Sequence, residues 1–177
     1  MRRQLIALMV MTAAAGASVS SPIEACGDKF MLTGGLMSFD QVYRARYPGA
    51  VLIYSPGGAA KTDYTKLQTL LTRVGHKVTL VREANQIDST VSAIKADVVV
   101  TPFADAGTIG RQAQSGPTAP AILPVLATGN KVEKAACKQQ PYACELKAAD
   151  GPEKFILAVN ETMTGRTKAR SKSTQSR

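Results

Sequence analysis

Four short runs dominated by apolar residues set what this chain can fold into. They are Ala50–Tyr54 (AVLIY), Lys77–Val81 (KVTLV), Asp97–Thr101 (DVVVT) and Ala121–Ala127 (AILPVLA). Runs of this length without strict polar alternation read as strands covered on both faces. Helical spacing fills the gaps between them. Tyr64, Leu67, Leu70, Leu71 and Val74 recur on one helical face, and Gly75 supplies a stop. Ile87, Val91 and Ile94 predict a helix over 85–95, and a weaker helix is expected over 105–114. Pro124 interrupts the fourth run and cannot donate to a ladder. The strand is retained because both of its flanks are apolar.

The alternation continues towards the C-terminus. A helix is expected over 132–138. Tyr142, Cys144, Leu146 and Ala148 then alternate with Ala143, Glu145 and Lys147, which predicts a fifth strand. Asp150-Gly151-Pro152-Glu153 opens a last helix with Phe155, Ile156, Val159 and Met163 on its apolar face. Ahead of the first run, residues 27–49 lack clear periodicity. Lys29–Thr33 reads as a short edge strand and Phe39–Tyr47 as a short helix. Five strand–helix units imply an α/β fold, a doubly wound five-stranded parallel sheet of order 2-1-3-4-5. In such a sheet a ligand crevice opens at the carboxyl ends of the central strands. The residues expected there are Ser55, Gly57, Gly58, Thr101, Thr128 and Lys147.

The amino terminus carries a different signal. Arg2 and Arg3 precede an apolar stretch, Leu5 to Met11, followed by Ala13-Ala14-Ala15-Gly16-Ala17. A charged start, a short apolar core and small residues behind it read as an export signal. The stretch is shorter than the roughly 20 residues of a membrane-spanning helix, and the mature chain has no other apolar run of that length. Cleavage after Ala17 or after Ala25 fits the small-residue rule. The second cut would leave Cys26 at the mature N-terminus and open the way to lipidation, which Glu24 and the polar stretch Ser18–Ser21 disfavour. The expected organisation is a signal peptide over 1–25, an extension over 26–49, the α/β domain over 50–165 and a basic disordered tail over 166–177. The expected location is the periplasm or another exported compartment.

Charge follows these divisions. The whole chain is formally +9, but residues 26–165 hold 15 bases against 12 acids. The excess lies in the tail, where Arg166, Lys168, Arg170, Lys172 and Arg177 stand among Ser, Thr and Gln with no acid. Such a segment is expected to be solvated and without regular structure. Contact with an anionic envelope is one use for it. Nucleic acid is not expected as a partner, because basic and aromatic residues are not interleaved in the body.

An exported chain permits disulfides. Cys137 and Cys144 lie seven residues apart, too far along one continuous helix, but Pro141 breaks the helix between them and makes a pair feasible. One histidine, His76, and the lack of a CxxC pair argue against a metal site and against a Ser-His-acid set. His76 follows Gly75 at a helix-to-strand turn and is expected at the surface. The loop Ser55-Pro56-Gly57-Gly58-Ala59-Ala60-Lys61-Thr62 follows a strand and precedes a helix, as phosphate loops do. Ala60 replaces the glycine before the lysine and the spacing is one residue short, so no nucleotide and no other cofactor is expected.

The layout over residues 50–165 resembles the response-regulator receiver domain. The resemblance implies a hydroxyl residue after the fourth strand, matched by Thr128, and a lysine after the fifth, matched by Lys147. It also implies acidic residues after the first strand, to hold magnesium, and a phosphate-accepting aspartate ending the third. This chain reads Tyr54-Ser55-Pro56 and Thr101-Pro102 at those places. Neutral Ser and Pro do not supply the charge that magnesium needs, and aspartyl phosphate needs a carboxylate. The reading is therefore a pseudo-receiver without phosphotransfer, serving binding or protein interaction. The alternatives are an enzyme or small-ligand binder using the crevice, and an envelope-associated protein using the basic tail.

Overall fold

The computed structural model describes residues 29–32, 35–57, 62–113 and 119–175. The export segment and Cys26 lie outside the described residues. Two strands, β1 (Lys29–Leu32) and β2 (Gly35–Ser38), pair antiparallel in a sheet of their own. The expected edge strand at Lys29 is thus not an edge of the main sheet. Helix α1 (Phe39–Tyr43) is shorter than expected. Arg44 is extended (ψ 129°), and the next amide, Ala45 N, bonds Val74 O instead of continuing the helix.

The main body runs β3 (Ala50–Tyr54), α2 (Tyr64–Arg73), β4 (Lys77–Val81), a 3-10 turn into α3 (Ile87–Ile94), β5 (Val98–Pro102), α4 (Phe103–Ala113), β6 (Ala121–Leu126), α5 (Lys131–Lys138), β7 (Leu146–Lys147) and α6 (Pro152–Gln175). The five strands are all parallel in the order β4-β3-β5-β6-β7, the expected 2-1-3-4-5. Strand pleating splits the core in two. Val51, Ile53, Val98, Val100, Leu123 and Val125 face α2 and α6, where they meet Leu67, Leu71, Phe155 and Ile156. Leu52, Tyr54, Val99 and Ile122 face the other way, onto Ile87, Val91, Ala106 and Ile109 of α3 and α4. Cover on both sides is why these strands read as unbroken apolar runs.

Pro124 fits the ladder because of its side. Ala121 N donates to Asp97 O, so odd residues of β6 face β5, while Leu126 O accepts from Ala148 N, so even residues face β7. The register of β7 begins only opposite Val125. The missing N–H of Pro124 therefore points to a stretch where no strand pairs.

Several expectations need correction. The fifth strand is two residues long, not seven. Tyr142 crosses α4 instead, its hydroxyl donating to Ala106 O at 3.3 Å over Gly110, where a Cβ would lie 2.9 Å from that hydroxyl. Cys144 is joined to Cys137 at the end of α5, with Cα atoms 5.9 Å apart, so the expected disulfide is present but sits ahead of the strand. The last helix does not give way to a tail without structure near residue 166 but continues to Gln175. Nothing beyond Gly165 breaks a helix there, and Arg170 anchors it through an ion pair with Asp97 at 3.1 Å. Basic side chains in a final turn also suit the helix dipole.

His76 is not at the surface. It is 2% exposed, held between strands and helix. Gly49 N donates to Nδ1 at 3.4 Å, which leaves the proton on Nε2 to donate to Asn160 Oδ1 at 2.8 Å. Asn160 in turn donates Nδ2–H to Tyr43 O at 3.2 Å. One imidazole thus ties the starts of β3 and β4 to α6, and through it to α1. Removing one partner strands buried polar atoms, which costs about 1–3 kcal/mol. His76→Ala and Asn160→Ala are each expected to lower urea-unfolding stability by about that much, and the double variant by less than their sum. Additive losses would mean that the two side chains act independently.

Candidate functional site

The carboxyl ends of the strands carry the candidate residues, but the fold does not gather them into one pocket. Ser55 leaves β3 with its amide on Val81 O at 2.9 Å. With Pro56 and Gly57 it borders an open cleft of about 280 Å³, closed on the other side by Thr62, Tyr64 and Arg82. Gly58 lies outside the described residues. Thr101 ends up beneath the crevice: it is 0% exposed, and its hydroxyl reaches only Pro102 O at 3.4 Å. A hydroxyl there cannot meet a solvent-borne substrate without opening the sheet end.

The Lys147 stem lies across Gly129, the residue after Thr128. The glycine has φ +64°, and a Cβ added to it would lie 2.7 Å from the Lys147 stem. The positive φ favours glycine, and an added Cβ would also have to displace the flexible Lys147 stem. The polar groups of that loop are engaged from within. The Glu133 carboxylate accepts from Ala127 N at 2.6 Å, Thr128 N at 3.0 Å, Gly129 N at 2.8 Å and the Thr128 hydroxyl at 2.9 Å. Glu133 is the third residue of α5, and Asn130 caps the same helix by accepting from Glu133 N at 2.8 Å. Asn130-x-x-Glu133 is thus a capping pattern whose carboxylate reaches past the cap to the preceding turn.

A second cleft of about 260 Å³ lies between the start of α2 and the β7–α6 turn, bordered by Thr62, Lys66, Ala148, Asp150 and Phe155. Thr62 Oγ1 donates to Ala148 O at 3.1 Å and separates this cleft from the one at Ser55. Asp150 anchors its rim by accepting from Lys147 N at 2.8 Å and from Lys154 Nζ at 3.0 Å. Thr101, Thr128 and Lys147 border neither cleft. Among the described residues, no three His, Cys, Asp or Glu side chains converge as a metal ion would require.

The titratable groups record these contacts. For Glu133, partial desolvation pushes the pKa up, but the bonds from Thr128, Ala127 and Gly129 outweigh it and hold the carboxyl below its usual value. Asp150 is also lowered, with desolvation opposed by Lys154 and the Lys147 amide. Tyr54 and Tyr64 are raised, first by burial and then by the charge of Asp105. Asp105, in the first turn of α4, thus adds its charge to that of Glu133 and Asp150 at this end of the sheet. Sequence reading took Asp105 only as an acid past the end of the third strand and Asp150 only as part of a helix start, and it passed over Glu133. Only Glu133 carried a legible signal, its position three residues after Asn130.

The same frame occurs in proteins of known structure. The chain is similar to the signal receiver domain of a Luxo repressor protein from Vibrio parahaemolyticus, with a TM-score of 0.56 and 9% identity, over 70% of this chain and 95% of that one. The likeness defines the class of fold: a receiver-type parallel five-stranded α/β sheet. Part of the lysine decarboxylase LdcF from Francisella novicida also aligns, with a TM-score of 0.48 and 10% identity, over 69% of this chain and 18% of that one. No family model matches the chain, and no curated protein matches its sequence.

Because Glu133 and Asp150 have lowered folded-state values, their contribution is complete above the unfolded pKa of about 4 and is lost as pH falls through the folded values. The urea midpoint is expected to drop as pH falls below about 4. Glu133→Gln should lower it at neutral pH and flatten that acid limb. A limb of unchanged steepness in the variant would show that the carboxylate is not held by the loop.

Proposed function

We propose that this chain is an exported pseudo-receiver, a receiver-fold protein without phosphotransfer that serves binding or protein interaction in the periplasm. One observation carries the reading. The hydroxyl of Thr128 and the three amides beside it, the groups that would meet an incoming anion, are already bonded to Glu133. The place of a phosphoacceptor holds Thr101, which is neutral and fully buried. The Tyr54-Ser55-Pro56 turn lacks the carboxylates that would hold magnesium. Export is supported by Arg2 and Arg3 ahead of the apolar stretch and by the Cys137–Cys144 disulfide, which suits an oxidising compartment. No described helix is long and apolar enough to cross a membrane.

A second reading, a small-ligand site, rests on the cleft at Ser55, where Gly57, Thr62 and Arg82 converge. It needs neither Thr101 nor Lys147.

Incubation with acetyl phosphate and magnesium is expected to leave the intact mass unchanged. Gain of one phosphoryl group that disappears in Thr101→Ala would overturn the reading. Export has its own test. Cell fractionation should recover a form lacking at least residues 1–17 outside the cytoplasm, with Cys137 and Cys144 blocked to alkylation until reduced. A full-length cytoplasmic protein with both thiols free would contradict it.

A further inference from the structure

We infer that the amino-terminal end of the sheet, together with the overhanging end of α6, is a docking face for an anionic lipid surface. The inference deepens the interaction reading by naming the face and the partner. The polarity of the molecule comes from how its helices are charged. Asp63 caps α2, and Asp88, Asp105, Glu133 and Glu153 stand in the first turns of α3, α4, α5 and α6. Arg73, Arg111 and Lys138 stand in the last turns of α2, α4 and α5. Each choice complements a helix dipole. In a parallel sheet these helices all start at one end and finish at the other. At the crevice end Lys66, Lys131, Lys134 and Lys154 stand in the same first turns and offset the acids, so the net positive charge lies at the opposite end.

Further bases join that opposite end, two of them, Arg44 and Lys95, as the C-caps of α1 and α3. Arg44 and Arg46 flank Ala45 beside the end of α2, Lys77 opens β4, and Lys95 follows α3 in a left-handed conformation (φ 50°). All four are exposed. Of the carboxylates nearby, Glu145 and Glu161 are exposed on the β7 side of this end, beside Leu146 and Thr162. Asp97 is engaged by Ala50 N at 3.1 Å and by Arg170. Asp40 is paired with Arg73.

Helix α6 extends the face. Met163 packs against Gly49 at the start of β3, and Asn160 meets His76 at the start of β4. The helix then continues from 164 to Gln175, about 18 Å at 1.5 Å per residue. That stretch carries Arg166, Lys168, Arg170 and Lys172, and Ala169 is its one apolar side chain. A helix with no apolar stripe does not insert into acyl chains. It can lie along headgroups and contribute charge. Aromatics make up only 5% of the chain, which leaves little for base stacking. With the export reading, this favours lipid over nucleic acid as the polyanion.

The test uses the protein as it accumulates in its own cells, sedimented with vesicles of phosphatidylcholine alone or of phosphatidylcholine and phosphatidylglycerol at about three to one. Binding is expected only with the anionic vesicles and should weaken steeply between about 0.05 and 0.3 M salt. Each base near such a surface is worth on the order of fivefold in affinity. The variant R44Q/R46Q/K77Q/K95Q should therefore bind on the order of several hundredfold more weakly. A control neutralising the crevice end, K66Q/R82Q/K131Q/K134Q, should bind like the parent, and circular dichroism should match for all three. Equal binding to neutral vesicles, equal loss in the control, or a preference for duplex DNA over the vesicles would overturn the assignment. Those outcomes leave the acetyl phosphate and fractionation results untouched, so failure of the face is distinguishable from failure of the interaction reading.

Discussion

Val98, Val99 and Val100 of the central strand β5 are completely buried, as are Val51, Leu52 and Ile53 of β3 beside it. A parallel sheet of this kind exists only when helices cover both faces. That constraint places α2 and α6 on one side and α3 and α4 on the other, and it leaves no lateral surface on which the central strands can present chemistry. Their polar groups meet solvent only at the two sheet ends. The buried His76–Asn160 contact belongs to the same constraint. It closes the amino-terminal end by holding α6 against the starts of β3 and β4.

The two ends are built differently. At the carboxyl end the loops are tied to one another, by Thr62 to Ala148, by Lys147 across Gly129, and by Glu133 to the Ala127–Gly129 turn. The Thr62 bond separates two modest clefts, and Glu133 occupies the amides of the Ala127–Gly129 turn. At the amino-terminal end the bases remain on the surface, and the last helix carries more of them past the sheet. At the carboxyl end the loop amides are bonded from within, while two clefts stay open beside them.

Much of this was legible in the residues. The strands announced themselves because burial on both faces demands unbroken apolar runs, and the sheet order followed from right-handed crossovers. The disulfide was legible because Pro141 returns the chain. What misled was local pattern with a non-local cause. Tyr142 and Cys144 alternate like a strand, yet one crosses α4 and the other is held by Cys137. His76 looked exposed because its cover, Asn160, lies 84 residues away. The segment after Gly165 looked disordered by composition, but its bases are good helix formers and Asp97 supplies an anchor. Of the candidate site, residue types were readable and convergence was not. Nothing in Thr101 or Thr128 reveals that one is buried and the other bonded to Glu133.

The amides of Ala127, Thr128 and Gly129 report directly on the bonding of their loop to Glu133. Their nitrogen and proton chemical shifts should titrate together as the Glu133 carboxyl protonates, with a midpoint below the usual glutamate value of about 4.3. At neutral pH they should not respond to millimolar inorganic phosphate or acetyl phosphate. Shifts that titrate at the ordinary glutamate value, or that move when phosphate is added, would mean that the loop is open and that its anion-binding groups remain available for a ligand.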